Sequence, residues 1–279
     1  MMKSRREIVL QAFLGKLPPE KREKLETFLP EELRYSPQEE THSNKEPSKD
    51  LFEQIHWSWF LPTLKTYAEK EQQCFLAALP KDVADNISAS LHITPLSEPL
   101  TQSANSYLLG LLKSSLIPSS ADLLPQEYLP ASPLNQLLSI TKKQFIELLQ
   151  LLGLHDLAVE LRQIVDTKTL KKLHSFITEK EHKRIKELSS YQKNSLSPRQ
   201  LLDRWDGEEE SLRILLHRRG LIRLGAALQS QHPDLIWHIC HQLDIGRGSS
   251  LLKLCSQETP STLSESIFQE IDDLIRNYL

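Results

Sequence analysis

From residue 134 to residue 279, apolar side chains recur every three or four positions, and this spacing constrains the chain more than any other feature. Phe145, Leu148, Leu149 and Leu152 follow it first, which places them on one face of an α-helix. Leu157, Leu161, Ile164 and Val165 form the next stripe, followed by Leu170, Leu173, Phe176 and Ile177. Leu212, Leu215 and Leu216 follow, then Leu221, Leu224 and Leu228, then Leu235, Ile236, Ile239 and Leu243. Ile267, Ile271, Leu274, Ile275 and Tyr278 make the last stripe. Each predicted helix is about three turns long, near the mean for globular proteins. Helices this short do not stand alone, because nucleation is costly and the apolar face needs cover. The expectation is therefore an all-α fold of stacked short helices, bundle or solenoid.

Punctuation supports this division. Gly153 has the position of a helix C-cap. Thr178-x-x-Glu181 and Ser197-x-x-Gln200 have capping-box spacing. Upstream, prolines mark boundaries, since proline breaks a helix interior but is tolerated in a first turn. Leu17 precedes Pro18-Pro19 and Leu29 precedes Pro30, so residues 1–35 read as an N-terminal helical segment. Residues 36–50 lack spaced apolar side chains and read as a linker. A helical module is predicted over 51–93, with Val83, Ile87 and Leu91 on one face. A proline-rich connection follows over 94–133, with a short helix near Tyr107–Leu112. Helical modules over 134–196 and 197–279 complete the chain, and helix pairs of roughly 40 residues would fit armadillo-like packing.

Composition agrees. Only eight glycines occur in 279 residues, too few for hairpin-rich β structure. The three cysteines, Cys74, Cys240 and Cys255, form no disulfide framework and suit a reducing compartment. No secretory signal and no run of about 20 apolar residues is visible, so a cytoplasmic protein is expected. A net charge of −3 with both signs mixed gives no general field to attract nucleic acid or anionic lipid.

Chemistry-bearing patterns are few. Gly246-Arg247-Gly248 has no preceding strand and no GK[ST], so it reads as a helix end and turn rather than a phosphate cradle. His238, Cys240 and His241 do not share one helix face; Cys240 reads as a core filler and the histidines as rim residues. Asp85, Glu147, Asp156 and Glu160 are acids with nothing to bring two of them together, and there is no GxSxG. The chain is therefore expected not to be an enzyme, with no catalytic residue, cofactor or metal. Between 168 and 193, Lys168, Lys171, Lys172, Lys180, Lys183, Arg184, Lys186 and Lys193 are interleaved with Glu179, Glu181 and Glu187. That mixture reads as a solvated helix face with pairs such as Glu179–Lys183. Trp57 and Trp59 read as core, or as anchors for a protein partner.

The segment Leu224-Gly225-Ala226-Ala227-Leu228-Gln229, followed by Pro233-Asp234-Leu235 and Ile239, resembles the C-terminal armadillo-like region of the FliG flagellar motor switch family. The run Phe268–Arg276 is similar to that family's closing helix, and Phe75–Leu91 to its recurring "LxxLPpexAxxIlxxL" helix pair. The resemblance covers about a third of the chain, roughly 199–279. It implies a FliG-like superhelical bundle, with the family's acidic pair on Glu208 and Glu209. His217, Arg218 and Arg219 stand where its stator-facing arginine lies. The family's EHPQ and MFxF signatures are missing, which suits the SctK type of sorting-platform adaptor in type III secretion. The resemblance thus implies a non-enzymatic scaffold linking a membrane ring to a cytoplasmic ring. Its partners would be other secretion or flagellar ring proteins, with no small-molecule substrate. It would lie at the periphery of the inner membrane through those partners, with room for oligomerisation in a ring. Glu208, Glu209, Arg218, Arg219, Trp57 and Trp59 are the candidate partner-binding residues. The alternatives are a nucleic-acid-binding helical protein using 168–193, and a hydrolase whose site carries no motif.

Overall fold

The computed structural model describes residues 5–30, 33–34, 51–117, 123–161, 164, 166–190, 205–257 and 261–278. The 36–50 linker and the Ser197–Gln200 capping box lie outside these residues. Among the described residues all regular structure is helical, with no strand. The fold is all-α, built of packed helices. The chain forms two compact units: Met1–Ser132 with His232–Ile245, and Pro133–Gln231 with Gly246–Leu279.

In the first unit, α1 (Arg5–Lys16) and α2 (Pro19–Glu26) meet at the predicted Leu-Pro boundary, with proline in the first turn of α2. Next come α3 (Leu51–Gln54), a 3-10 turn over Trp57–Trp59, and α4 (Leu61–Leu64). They are followed by α5 (Glu69–Ala78) and α6 (Lys81–Leu91), separated at Pro80. α6 stops at His92, which adopts a left-handed conformation. Within the predicted proline-rich connection, α7 spans Gln102–Leu116, longer than expected. The Thr101 hydroxyl accepts from the Ala104 N–H and extends its start. The core joins Phe60, Leu64, Phe75, Leu76, Ile87 and Leu112, all fully buried. Burial of each such side chain contributes about 1.5–3 kcal/mol. α12 (Pro233–Gln242) also belongs to this unit.

The second unit contains α8 (Lys142–Leu161), α9 (Thr167–Phe176), α10 (Glu179–Ser190), α11 (Glu209–Leu228), α13 (Ile245–Cys255) and α14 (Ser261–Tyr278). The predicted Thr178/Glu181 capping box is present: each backbone N–H is accepted by the other's side-chain oxygen. Gly246 and Gly248 lie in the first turn of α13.

Gly153 does not end a helix. α8 runs through it for 20 residues, and α11 runs equally far through Gly220. The stripes read as separate three-turn helices are thereby joined in pairs. The reason is a close crossing of these two helices, the most extensive helix contact in the chain. A Cβ on Gly153 would lie 3.0 Å from Leu216 Cα and closer still to its carbonyl. A Cβ on Gly220 would lie 2.9 Å from Leu149 Cα and likewise collide with its carbonyl. Residue 149 thus faces 220 and 153 faces 216, so the helices cross antiparallel with backbones in contact. Glycine in a helix interior costs about 0.5–1 kcal/mol relative to alanine. Here close packing of Leu148, Leu149, Leu152, Leu212, Leu216 and Leu224, all fully buried, offsets that cost.

Gly153→Ala and Gly220→Ala should each lower unfolding free energy by about 1–3 kcal/mol or more in urea titrations, because backbone cannot yield as a side chain can. Gly110→Ala, in the exposed interior of α7 with nothing within 4 Å of the new Cβ, should instead stabilise by about 0.4–1 kcal/mol.

Candidate functional site

In the first unit the aromatic group 56–59 is folded onto the C-terminal end of α12. Helix ends leave carbonyls without intrahelical partners. His56 N–H donates to the His241 carbonyl at 2.8 Å, and Trp59 Nε1–H donates to the Leu243 carbonyl at 2.9 Å. The Ser58 hydroxyl accepts from the Ile245 N–H at 2.9 Å. The His241 ring is sandwiched between two indoles, 4.1 Å from Trp59 and 3.8 Å from Trp237. Trp57 is half-buried against the core. Both tryptophans therefore have internal work, and Trp59 has its N–H already bonded.

The histidines expected at the rim of α12 are buried instead. His238 Nε2–H donates to the Leu124 carbonyl at 2.8 Å, while the buried Asp234 carboxylate accepts the Leu124 N–H at 3.1 Å. Two side chains one helical turn apart thus hold both polar groups of a single residue. That satisfies what would otherwise be orphaned backbone. Burial holds His238 below its ordinary pKa, against the pull of the Leu124 carbonyl and Asp234. Burial likewise carries His241 down to about 4, although its hydrogen bond to the Trp237 carbonyl acts the other way. Cys240 is fully buried. Among the described residues no group of three or more His, Cys, Asp or Glu side chains could hold a metal ion.

In the second unit charged side chains converge where the leucine stripes predict only packing. Arg223 on α11 is 2% exposed. Its Nη2 donates to Glu270 Oε2 on α14, and its Nη1 lies 3.6 Å from Asp156 on α8. Arg184 on α10 donates to the other oxygen of Glu270 at 2.8 Å, and His155 lies 3.2 Å from the same atom. Burial would raise the Glu270 pKa. The hydrogen bond from His155 and the charge of Arg223 outweigh it and hold the carboxyl at about 2. For Asp156 the balance is reversed: burial raises its pKa in spite of Arg223 and Arg219. Glu270 with Arg223, Arg184 and His155 therefore ties four helices together. The sequence signal was there in principle: Arg223 and Asp156 are charges set inside apolar runs.

The candidate rim residues separate. Glu208 is exposed at the N-cap of α11 and pairs loosely with Lys172 at 3.5 Å. Glu209 is exposed, 3.7 Å from Arg213. Arg218 is exposed. Arg219 turns inward, 3.8 Å from Asp156, and joins the buried cluster. The basic segment separates too. Glu181 is buried, accepting from Arg213 and from Thr178, and Glu187 is half-buried beside Arg184. Lys168, Lys171, Lys172, Lys183 and Lys186 stay exposed. The titratable groups that converge are bonded to one another.

Comparisons with known protein families, with curated proteins and with solved structures find no match to this chain.

These groups fix how stability depends on pH. His241, neutral when folded down to about 4 against an ordinary 6.5, contributes fully above pH 6.5 and loses that contribution as pH falls toward 4. His241→Phe should flatten the fall in urea-unfolding free energy across that window. Glu270, ionised down to about 2 against an ordinary 4.5, contributes above pH 4.5 and loses that contribution as pH falls toward 2. Glu270→Gln at neutral pH removes the nearest counter-charge of Arg223 and Arg184 and should cost about 3–5 kcal/mol.

Proposed function

We propose that this chain is a non-enzymatic helical adaptor at the cytoplasmic face of a bacterial type III secretion or flagellar basal body, linking the membrane ring to the cytoplasmic ring. The observation that carries this reading is the FliG-like sequence of 199–279. Its matching stretches fall in α11, α12 and α14, where Leu224, Leu228, Leu235, Ile239, Ile271 and Leu274 are buried. The convergent charges Arg223 and Glu270 of that region and Asp156 of α8 bind one another and brace the helices. On its exposed side α11 carries Ile214, which is 62% exposed, and Arg218 one turn on, with Glu209 exposed in its first turn. An exposed apolar side chain beside a charged one suits docking against another protein. No described helix is long and apolar enough to cross a membrane. In this reading attachment to the membrane ring runs through partners.

Crosslinking pulldown of the full chain from its native cell should recover ring components. Charge reversal of Glu209 and Arg218 together should reduce that recovery about tenfold while shifting the thermal midpoint by no more than about 2 °C. Arg219→Glu, which faces the buried Asp156, should lower the midpoint instead. Full recovery with the Glu209/Arg218 variant would remove the rim assignment, and a parent chain that captures no ring component would remove the adaptor reading.

A further inference from the structure

We propose that the α1–α2 helix pair is a self-association surface, at which α2 meets the α2 of a second copy of this chain in antiparallel order. Seven large apolar side chains are exposed among the described residues, and four of them, Val9, Phe13, Leu25 and Phe28, lie between residues 9 and 28. Exposed leucines scattered singly need no explanation; this concentration does. The pair is held in place. Leu14 is buried, the Gln11 amide donates to the Leu33 and Arg34 carbonyls at 3.0 and 2.9 Å, and Arg22 donates to the Leu17 carbonyl at 3.2 Å. Past Glu26 the N–H groups of Phe28 and Leu29 bond to carbonyls three residues back, so the helical turn continues. Glu20, Lys24 and Phe28 then recur at i, i+4 and i+8 on one exposed side. Phe28 is 85% exposed, more than any other large apolar side chain among the described residues.

Charge selects the occupant. The exposed charges of α2 are Glu20, Lys21, Glu23 and Lys24, two of each sign. Such a face has no net field to gather anionic lipid, nucleic acid or a strongly charged peptide. It does match itself. An antiparallel pair with its twofold axis at residue 22 sets Glu20 of each copy against Lys24 of the other, with opposite signs at both places. A parallel pair would set every charge against its own kind. Arg22, the residue at the axis, is half-buried and directed to the Leu17 carbonyl, away from the Glu20–Lys24 side. The same order carries Phe28 past the start of the other α2, toward the half-buried Leu17 at the corner of that pair. Phe28 supplies the aromatic anchor and the two ion pairs set the register. The inference stands on exposure and charge pattern in α1 and α2 and is independent of the adaptor reading.

The test is sedimentation velocity of the full chain from about 1 µM to about 0.1 mM. Dimer should dominate at the upper end, and Phe28→Asp should leave monomer throughout. Tyr107→Asp, a comparable change at an exposed ring outside the pair, should leave the dimer intact. Glu20→Lys and Lys24→Glu should each raise the dimer Kd about tenfold, because each sets two like-charged pairs across the axis. The two together restore opposite signs and should return Kd to within about threefold of the parent. Circular dichroism checks that every variant stays folded. A parent chain that is monomeric at about 0.1 mM, a dimer that survives Phe28→Asp, or a double charge swap no better than either single change would overturn the proposal. So would a monomeric parent that binds phosphatidylcholine vesicles and loses them with Phe28→Asp, which would give the surface to lipid.

Discussion

The second unit depends on the backbone contact between α8 and α11. Ordinary helix pairs sit about 8–10 Å apart, held off by side chains. At Gly153 and Gly220 no side chain intervenes, and each glycine lies against the main chain of the facing leucine. The reciprocal spacing matters. Residues 149 and 153 are one turn apart on α8, as are 216 and 220 on α11, so both contacts form in a single antiparallel register. Shifting either helix by one residue would bring a leucine onto a carbonyl. The crossing therefore sets the register as well as the distance.

The crossed pair is also joined by charge: Arg223 on α11 reaches to within 3.6 Å of Asp156 on α8. Buried ion pairs stabilise little beyond what well-packed apolar groups would. Their effect here is directional: Glu270 accepts from Arg223 with one oxygen and from Arg184 with the other, which fixes α14 and α10 against the crossed pair. The first unit uses the same kind of device at smaller scale. Asp234 and His238 hold both polar groups of Leu124, and the 56–59 turn satisfies the carbonyls at the end of α12. In both units polar side chains decide which helix goes where, after leucine has decided that helices form.

This division of labour explains what could be read from the amino-acid order. Period-3.6 stripes report burial directly, so Phe145, Leu148, Leu149, Leu152, Leu212, Leu216, Ile267, Ile271 and Leu274 were legible as core. Each Leu-Pro boundary and the Thr178/Glu181 cap were legible because their causes are local. Gly153 was misread because a glycine that ends a helix and one that admits a neighbouring backbone look alike until the neighbour is known. The rim assignment of His238 and His241 failed for the same reason: their partners, Leu124, Trp59 and Trp237, include residues more than a hundred positions away. Interleaved charge between 168 and 190 gave no sign of the inward turn of Glu181 onto Arg213. The separation of Arg218 from Arg219 was likewise invisible, since neighbours on a helix differ by about 100° in direction.

A unit braced by internal ion pairs and glycine-permitted crossings is stiff where it is buried, and its variable chemistry lies outside, on the first half of α11 and on α9 and α10. Stiff cores with distinct charged faces suit a part that holds others in position. Nuclear Overhauser contacts measure the α8–α11 crossing directly. Strong contacts between the α-protons of Gly153 and Leu216, and of Gly220 and Leu149, are the predicted result. Their absence, with leucine methyls of α8 and α11 meeting across an ordinary helix separation instead, would contradict it.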